Sequence, residues 1–455
     1  MGPAGETKGR GRFVAILAGA VIVAWTVPAL VVRADSRAAL AYSDVLVALA
    51  LAVTGATGAA LFVLLARPPR REAAFRLGLF TVVLGLCVAI LETPAWLGYL
   101  NYRRVWDALT GNWRGPISEY QLDYERAFRR RPNVHSVGRP QGDIAGRFNL
   151  PIRSPRPLEF TFNAHGFRGR GDYASADVVL IGDSYVEGWY VSDGETSAER
   201  LQSKISRPVA NLGQSGYGLE QELRVLQDDA LALRPRWIVW FFYEGNDLYD
   251  DQEFENTMTY LAQARGSRDE VARRMGYDRL HFHDASFTVN AFAVFRRLLD
   301  PLVPNRPPFV GVFRDAERGP LAVYFDDEAN GELGSFERDR LEKATRALTE
   351  GKRRCDDQGV RLLVAYIPTK FRVYRDYCEF DPRSPCRSWV PWDLPQRFAE
   401  HCRQNGIEVL DLTGVLRDKA RDGHLLYVPQ DTHWDRGAHE LVADLLAARY
   451  SHLGS

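Results

Sequence analysis

The apolar positions of this 455-residue chain fall into two regimes. Residues 13–32, 44–66 and 77–100 are nearly continuous runs of Ala, Val, Leu, Ile and Gly. Each has about the 20 residues that cross a bilayer, so the pattern predicts three transmembrane helices. Beyond residue 170 short apolar runs alternate with amphipathic stretches. Strands are predicted at Val178–Ile181, Val209–Leu212, Trp237–Phe242, Arg361–Ile367 and Glu408–Leu410. Helices are predicted at Glu195–Lys204, Glu220–Ala232, Glu337–Asp357, Pro395–Asn405 and Gly437–Tyr450. Largely apolar strands separated by helices argue a parallel sheet covered on both faces, hence a three-layer α/β/α domain over 171–455. Residues 101–170 are dense in Arg, Pro and Gly apart from an alternating run at Leu158–Phe162, and read as a connector and lead-in. Between 252 and 335 the rhythm breaks, which reads as an insertion.

Flanking charges orient the predicted spans. Lys8, Arg10 and Arg12 precede the first, and Arg67, Arg70, Arg71 and Arg76 separate the second from the third, while Arg33 and Arg37 alone lie between the first two. An excess of positive charge on the cytoplasmic side puts the N-terminus inside and everything after about residue 101 outside. A basic leader before Phe13–Ala29 is also the form of a signal peptide, but the long apolar core and two further spans favour an anchor. The expectation is a multi-pass protein of the cytoplasmic (inner) membrane, with the bilayer as a partner and an extracytoplasmic domain. Residues 77–455 hold 49 basic and 54 acidic residues, which leaves no basic excess for nucleic acid. Glu92, inside the third run, is a functional suspect because an ionisable group there is costly. The other reading is that it reaches water at the span's end, flagged by Trp96 and Tyr99.

Cys355, Cys378, Cys386 and Cys402 lie on the expected outer side, where two disulfides can form. The short loop between Cys378 and Cys386 favours that pair, leaving Cys355 with Cys402; four free thiols are the alternative. No Cys-x2-Cys spacing or His pair points to a metal site.

The run Val178–Ile181 ends on Gly182-Asp183-Ser184, a turn that delivers a hydroxyl to the mouth of a parallel sheet. Asp431 and His433 are two residues apart, so in an extended segment both side chains leave one face. The carboxylate can orient the imidazole, which can take the proton from Ser184. The N–H groups of Ser184 and Gly216 and the Asn246 amide are candidate donors to a developing oxyanion, with Asp183 and Asp247 supporting their turns. In isolation each of these tripeptides also reads as an ordinary turn.

Four segments in chain order resemble the blocks of the SGNH (GDSL-type) hydrolase superfamily: Gly182-Asp183-Ser184, Asn211 to Gly216, Gly245-Asn246-Asp247 and Asp431-Thr432-His433. The last, with Trp434, and Pro368-Thr369-Lys370 leading to Tyr374, resemble the alginate-type polysaccharide O-acetyltransferases. In those enzymes the Asp-His pair precedes the serine, whereas here it follows. The resemblance implies an SGNH-like fold, with Ser184, Asp431 and His433 as a catalytic triad. It also implies an oxyanion hole of Ser184, Gly216 and Asn246, and no cofactor. Lys370, Tyr374 and Trp434 become candidate substrate contacts, with a structural use the favoured alternative for Lys370 and Tyr374, and a membrane-bound acyl donor or an export protein becomes a candidate partner. The expected activity is hydrolysis or transfer of O-acetyl groups on cell-envelope carbohydrate. A lipid esterase and a non-catalytic glycan-binding or assembly subunit are the competing expectations.

Overall fold

The computed structural model describes residues 120–148, 154–268, 309–327 and 330–451, with residue 150 and scattered positions within 79–105 and 271–291. The chain divides into two compact units, Met1–Thr110 with Arg265–Leu299, and Gly111–Ala264 with Asp300–Ser455.

In the first unit, the expected spans at 13–32 and 44–66 lie outside the described residues. In the third, the positions described between Leu79 and Ala95 are helical. Among the described residues no helix is long and apolar enough to cross a membrane. Leu79, Val83, Leu86 and Ile90, spaced by four, three and four, are all exposed. Glu92 has a local structural use. Its carboxylate accepts from the Ser286 hydroxyl (2.8 Å) and from the N–H groups of Phe287 (3.0 Å) and Thr288 (2.7 Å). Phe287 and Thr288 are helical, so Glu92 satisfies N–H groups that a helix start leaves without intrahelical partners.

The second unit is built on five parallel strands, β1 (Val178–Ile181), β2 (Val209–Asn211), β3 (Trp237–Tyr243), β4 (Arg361–Ile367) and β5 (Glu408–Asp411), in the order β5-β4-β3-β1-β2. All seven residues of β3 are buried, as a central strand covered on both faces requires. Alternation along the strands sends side chains to two separate cores. Val179, Ile181, Trp240, Phe242 and Val364 pack with Leu226, Leu348 and Phe398. Leu180, Val239, Phe241 and Ala365 pack on the other face with Leu201, Leu416, Val442 and Leu446. The expected layering is present.

The helices that follow β1 are α1 (Ser184–Glu187), α2 (Ser197–Ile205), α3 (Leu219–Val225), α4 (Asp247–Gln263), α5 (Ser335–Asp357), α6 (Lys370–Tyr374), α7 (Leu394–Gln404), α8 (Thr413–Arg421) and α9 (Arg436–Ser451), and a short helix, Asp143–Arg147, lies in the lead-in. Helix α2 begins two residues later than expected because Thr196 and Glu199 form a capping box. The helix expected at Glu220–Ala232 is α only to Val225, then widens into a π turn, Leu226–Ala230, and tightens into a 3-10 turn, Leu231–Leu233.

The lead-in and the insertion are more regular than their composition suggests. Tyr120–Asp123 pairs with Ala127–Arg130, and His135–Gly138 with Leu158–Thr161. Helix α4 runs well into the expected insertion, and Val310–Asp315 pairs with both Gly319–Tyr324 and Cys378–Phe380 in an antiparallel sheet. The expected bridge between Cys378 and Cys386 is not formed, nor is one between Cys355 and Cys402: all four thiols are free. Cys378 is held in its strand against Phe313 and Cys386 is buried in a 3-10 turn, while Cys355 and Cys402 pack as small apolar residues in one core.

Candidate active site

Strand β1 sits between β3 and β2, so the turns that follow β3 and β2 flank the turn that carries Ser184. This is the carboxyl edge of the sheet, where open α/β folds place their ligands. Ser184 opens α1, a single helical turn, and the Asp183 carboxylate caps it by accepting from the Tyr185 N–H (2.9 Å). The first N–H of a helix has no intrahelical acceptor, which leaves that of Ser184 available to an anion.

His433 meets this turn from the far end of the chain. Its Nε2 lies 2.7 Å from Ser184 Oγ and its Nδ1 2.5 Å from Asp431 Oδ1. The two residues share a face for a reason other than the expected extended strand. Asp431 Oδ1 also accepts from the His433 N–H (2.8 Å), closing a side-chain turn that swings the imidazole back over the carboxylate. Tyr185 supports the ring at 5.0 Å between centroids and donates its hydroxyl to the Thr432 carbonyl (2.7 Å).

Charge is concentrated here. Burial alone would lower the His433 pKa, but Asp431, with Asp143 and Asp183, outweighs it and raises it to about 9. Burial pushes Asp431 up, but the imidazole and three hydrogen bonds bring it below the usual carboxylate range. Burial raises Asp183 to about 6. The pair is therefore held mainly as imidazolium and carboxylate at neutral pH.

The candidate oxyanion donors stand on flanking turns. Gly216 has φ +80°, a left-handed conformation that favours glycine. Its neighbour Ser215 is fixed by Glu187 at the end of α1, whose buried carboxylate accepts from the Ser215 N–H (2.9 Å) and hydroxyl (2.8 Å) and pairs with buried Arg130 (2.6 Å). Asn246 precedes α4; its Nδ2 gives one N–H to Asp250 (2.7 Å), and a primary amide has a second to offer. Asp247 holds that turn by accepting from the Tyr243 N–H (2.7 Å).

The three candidate substrate contacts are all buried, and Lys370 and Tyr374 have the structural use that was the alternative for them. Lys370 is buried and donates to the carbonyls of Val428 (3.2 Å), Pro429 (3.1 Å) and Asp431 (2.7 Å), clamping the loop that carries the Asp-His pair. Burial lowers its pKa to about 8. Tyr374 is buried, donating to the His424 carbonyl (3.1 Å) and accepting from the Leu426 N–H (2.8 Å). Trp434 is buried edge-on to Tyr185 and bridges to Tyr427, closing the same loop. The donors of Lys370 and Tyr374 and the bulk of Trp434 hold the loop.

Sequence reasoning missed Asp143, which lies in the lead-in and donates its N–H to Asp431 Oδ2 (2.8 Å). It also missed the Glu187–Arg130 pair, and Glu244, which binds Arg372 and the Thr369 N–H (3.0 Å) and so ties the asparagine turn to the start of α6. Apart from the recurrence of charged residues beside the recognised blocks, nothing in the chain marks these positions. Asp143 with Asp431 and His433, and His135 with Glu159 and Asp193, are clusters whose atoms approach a metal-like spacing. In the first, the imidazole Nδ1 and the Asp431 carboxylate are engaged with one another. In the second, Asp193 is paired with Arg168 and Glu159 with Arg170.

Residues 324–454 match a family model described as an SGNH hydrolase-like domain, acetyltransferase AlgX. That stretch includes Asp431 and His433 but not Ser184. The chain is 34% identical over 110 residues to a probable alginate O-acetylase AlgJ of Pseudomonas aeruginosa, covering 24% of this chain and 27% of that protein. It is 30% identical over 127 residues to a probable alginate O-acetylase AlgJ of Pseudomonas fluorescens, covering 28% and 30%. The chain thus spans less than a third of the length of the curated relatives it matches. Among solved structures, the esterase EstA from a Pseudoalteromonas species is similar at 12% identity and a TM-score of 0.30, over 61% of this chain and 98% of that one. The lipase/acylhydrolase of Enterococcus faecalis is similar at 12% identity and a TM-score of 0.30, over 60% and 93%. The family and relative matches support the SGNH hydrolase superfamily for this chain, with a resemblance to alginate-type O-acetyltransferases.

Proposed function

We propose that this chain is a serine-dependent O-acyl esterase or O-acetyltransferase acting on O-acetyl groups of cell-envelope polysaccharide. The observation that carries the reading is the unbroken hydrogen-bond chain from Ser184 through His433 to Asp431 at the carboxyl edge of the sheet. In this reading Ser184 Oγ attacks an ester carbonyl while His433 Nε2 takes its proton, and Asp431 stabilises the imidazolium. The N–H groups of Ser184 and Gly216 and the Asn246 amide receive the oxyanion. The imidazolium then protonates the leaving alkoxide, and a water or sugar hydroxyl, deprotonated by His433, releases the acyl group from Ser184. The likeness to relatives named as probable alginate O-acetylases favours a polysaccharide hydroxyl as the acceptor.

Localisation belongs to the same proposal. Three apolar runs with a positive-inside bias, and the exposed apolar stripe of the third, support a membrane anchor that leaves the catalytic unit outside the cytoplasm. There a membrane-bound acyl donor or an export protein would be its partner.

The test compares p-nitrophenyl acetate hydrolysis with acetyl transfer to envelope oligosaccharides. Both are expected to vanish in Ser184→Ala, and transfer undetectable beside fast hydrolysis would remove the transferase branch. A reporter at the C-terminus tests topology, and activity of a cytoplasm-only reporter would overturn the outside placement.

A further inference from the structure

The segment from Gln141 to Arg147 carries no feature that the sequence pattern marks as chemistry, yet it is strapped to the loop of Asp431 and His433. The bonding is reciprocal. Asp143 N–H donates to Asp431 Oδ2 (2.8 Å), while Asp143 Oδ1 accepts from the Thr432 N–H (2.8 Å) and Oδ2 from the Thr432 hydroxyl. Two residues along, the Ala145 N–H donates to the Gln430 carbonyl (3.0 Å). The Asp431 oxygen that Asp143 occupies is the one His433 leaves free, because Oδ1 takes both the His433 N–H and Nδ1. A carboxylate held at both oxygens cannot rotate, so the imidazole meets a fixed acceptor.

Asp143 also brings charge. Its Oδ2 lies 3.8 Å from His433 Nδ1, and its side chain is 38% exposed at the rim whereas that of Asp431 is fully buried. The packing at Gly142 shows how closely the strap fits. A Cβ there would lie 2.5 Å from the Gln430 carbonyl oxygen and 3.0 Å from Asp431 Cβ. At its other end, Arg147 pairs with Asp326 (2.7 Å) and Asp327 (3.3 Å), tying the segment to the hairpin before α5.

We propose that Asp143 is a positioning residue for acyl transfer at Ser184, one that fixes the Asp431 carboxylate and places a second negative charge beside the His433 imidazolium. The proposal rests on the roles given above to Ser184, His433 and Asp431. The charged groups facing His433 are Asp431 on its own loop, Asp183 from the nucleophile turn and Asp143 from the strap; Lys370, beneath the loop, is the cation that acts on Asp143 and Asp431. A variant at position 143 leaves the other three in place.

The experiment measures kcat and KM for p-nitrophenyl acetate across pH in the full-length chain, for wild type, Asp143→Asn and Asp143→Ala. Asp143→Ala is expected to lose about tenfold or more in kcat with KM within about twofold, since it keeps the backbone donor to Asp431 but removes both acceptors for Thr432 and the charge, which loosens the loop of the base and not the substrate site. Asp143→Asn keeps the backbone donor and an acceptor for Thr432 but not the charge. Its acid limb of kcat/KM is expected to move about half a pH unit or more to lower pH. An Asp143→Asn enzyme whose acid limb stays where wild type has it overturns the proposal, and this result decides the matter even where Asp143→Ala does not fold. A wild type that neither hydrolyses the ester nor reacts with a fluorophosphonate removes the underlying reading instead, and the proposal with it.

Discussion

Nε2 of His433 lies 2.7 Å from Oγ of Ser184, across 249 positions of sequence, and the other nitrogen of the same ring is held by Asp431 at 2.5 Å. Folding brings the two halves together because β1, with its serine turn, lies inside the sheet between β3 and β2, while the 427–434 loop is clamped back over it by Lys370.

The first consequence is a pH profile. Burial opposes protonation of His433, but Asp431, Asp143 and Asp183 together hold its pKa up at about 9. A general base must be neutral to accept the Ser184 proton, so activity rises with pH as the imidazolium is titrated. The acid limb of kcat/KM for p-nitrophenyl acetate is expected well above the ordinary histidine value of about 6.5. A limb at or below that value contradicts the charge arrangement.

Lys370 provides a second prediction. Its ammonium satisfies three backbone carbonyls beneath the Asp-His loop. Lys370→Met removes the donor and leaves those carbonyls buried, an effect of about 3 kcal/mol. Both the urea midpoint and kcat are expected to fall, with KM little changed. Wild-type values of both in the methionine variant would contradict a clamping role.

Acid sensitivity is expected from His439, which the proposed chemistry does not use. It is buried in α9, where Nδ1 lies 2.8 Å from the Ser197 hydroxyl, and burial pushes its pKa down to about 3. The unfolded chain binds a proton near the ordinary value of about 6.5 that the folded chain refuses. Stability from this group is therefore complete above about pH 6.5 and lost as pH falls toward about 3. His439→Asn keeps an acceptor and removes the titration, so its melting temperature should fall less between neutral and mildly acid pH. Equal slopes for the two proteins would rule this out.

Much of this was legible in the sequence because it is written locally. The five strands are short, largely apolar runs, and the nucleophile, glycine and asparagine turns follow three of them directly. What was hidden depends on tertiary neighbours. Lys370 and Tyr374 have the polarity of substrate contacts, but only the fold shows that the 424–431 backbone occupies their donors. Asp143 lies 288 positions from Asp431, in sequence whose composition suggests a linker, and acts as much through its backbone as its side chain. Cys378 and Cys386 are near in sequence, but strand pairing fixes one and burial in a turn holds the other. Glu92 looked costly within an apolar run, and its partners lie almost two hundred residues away, with the Thr288 N–H in the insertion 196 positions on.

The central claim is that Ser184 is a nucleophile activated by His433, and covalent labelling of the full-length protein with a fluorophosphonate tests it most directly. Stoichiometric labelling of wild type at Ser184, abolished in Ser184→Ala and slowed by about 10³-fold or more in His433→Ala, is the predicted result. Absence of labelling in wild type, or labelling that survives Ser184→Ala, would contradict it.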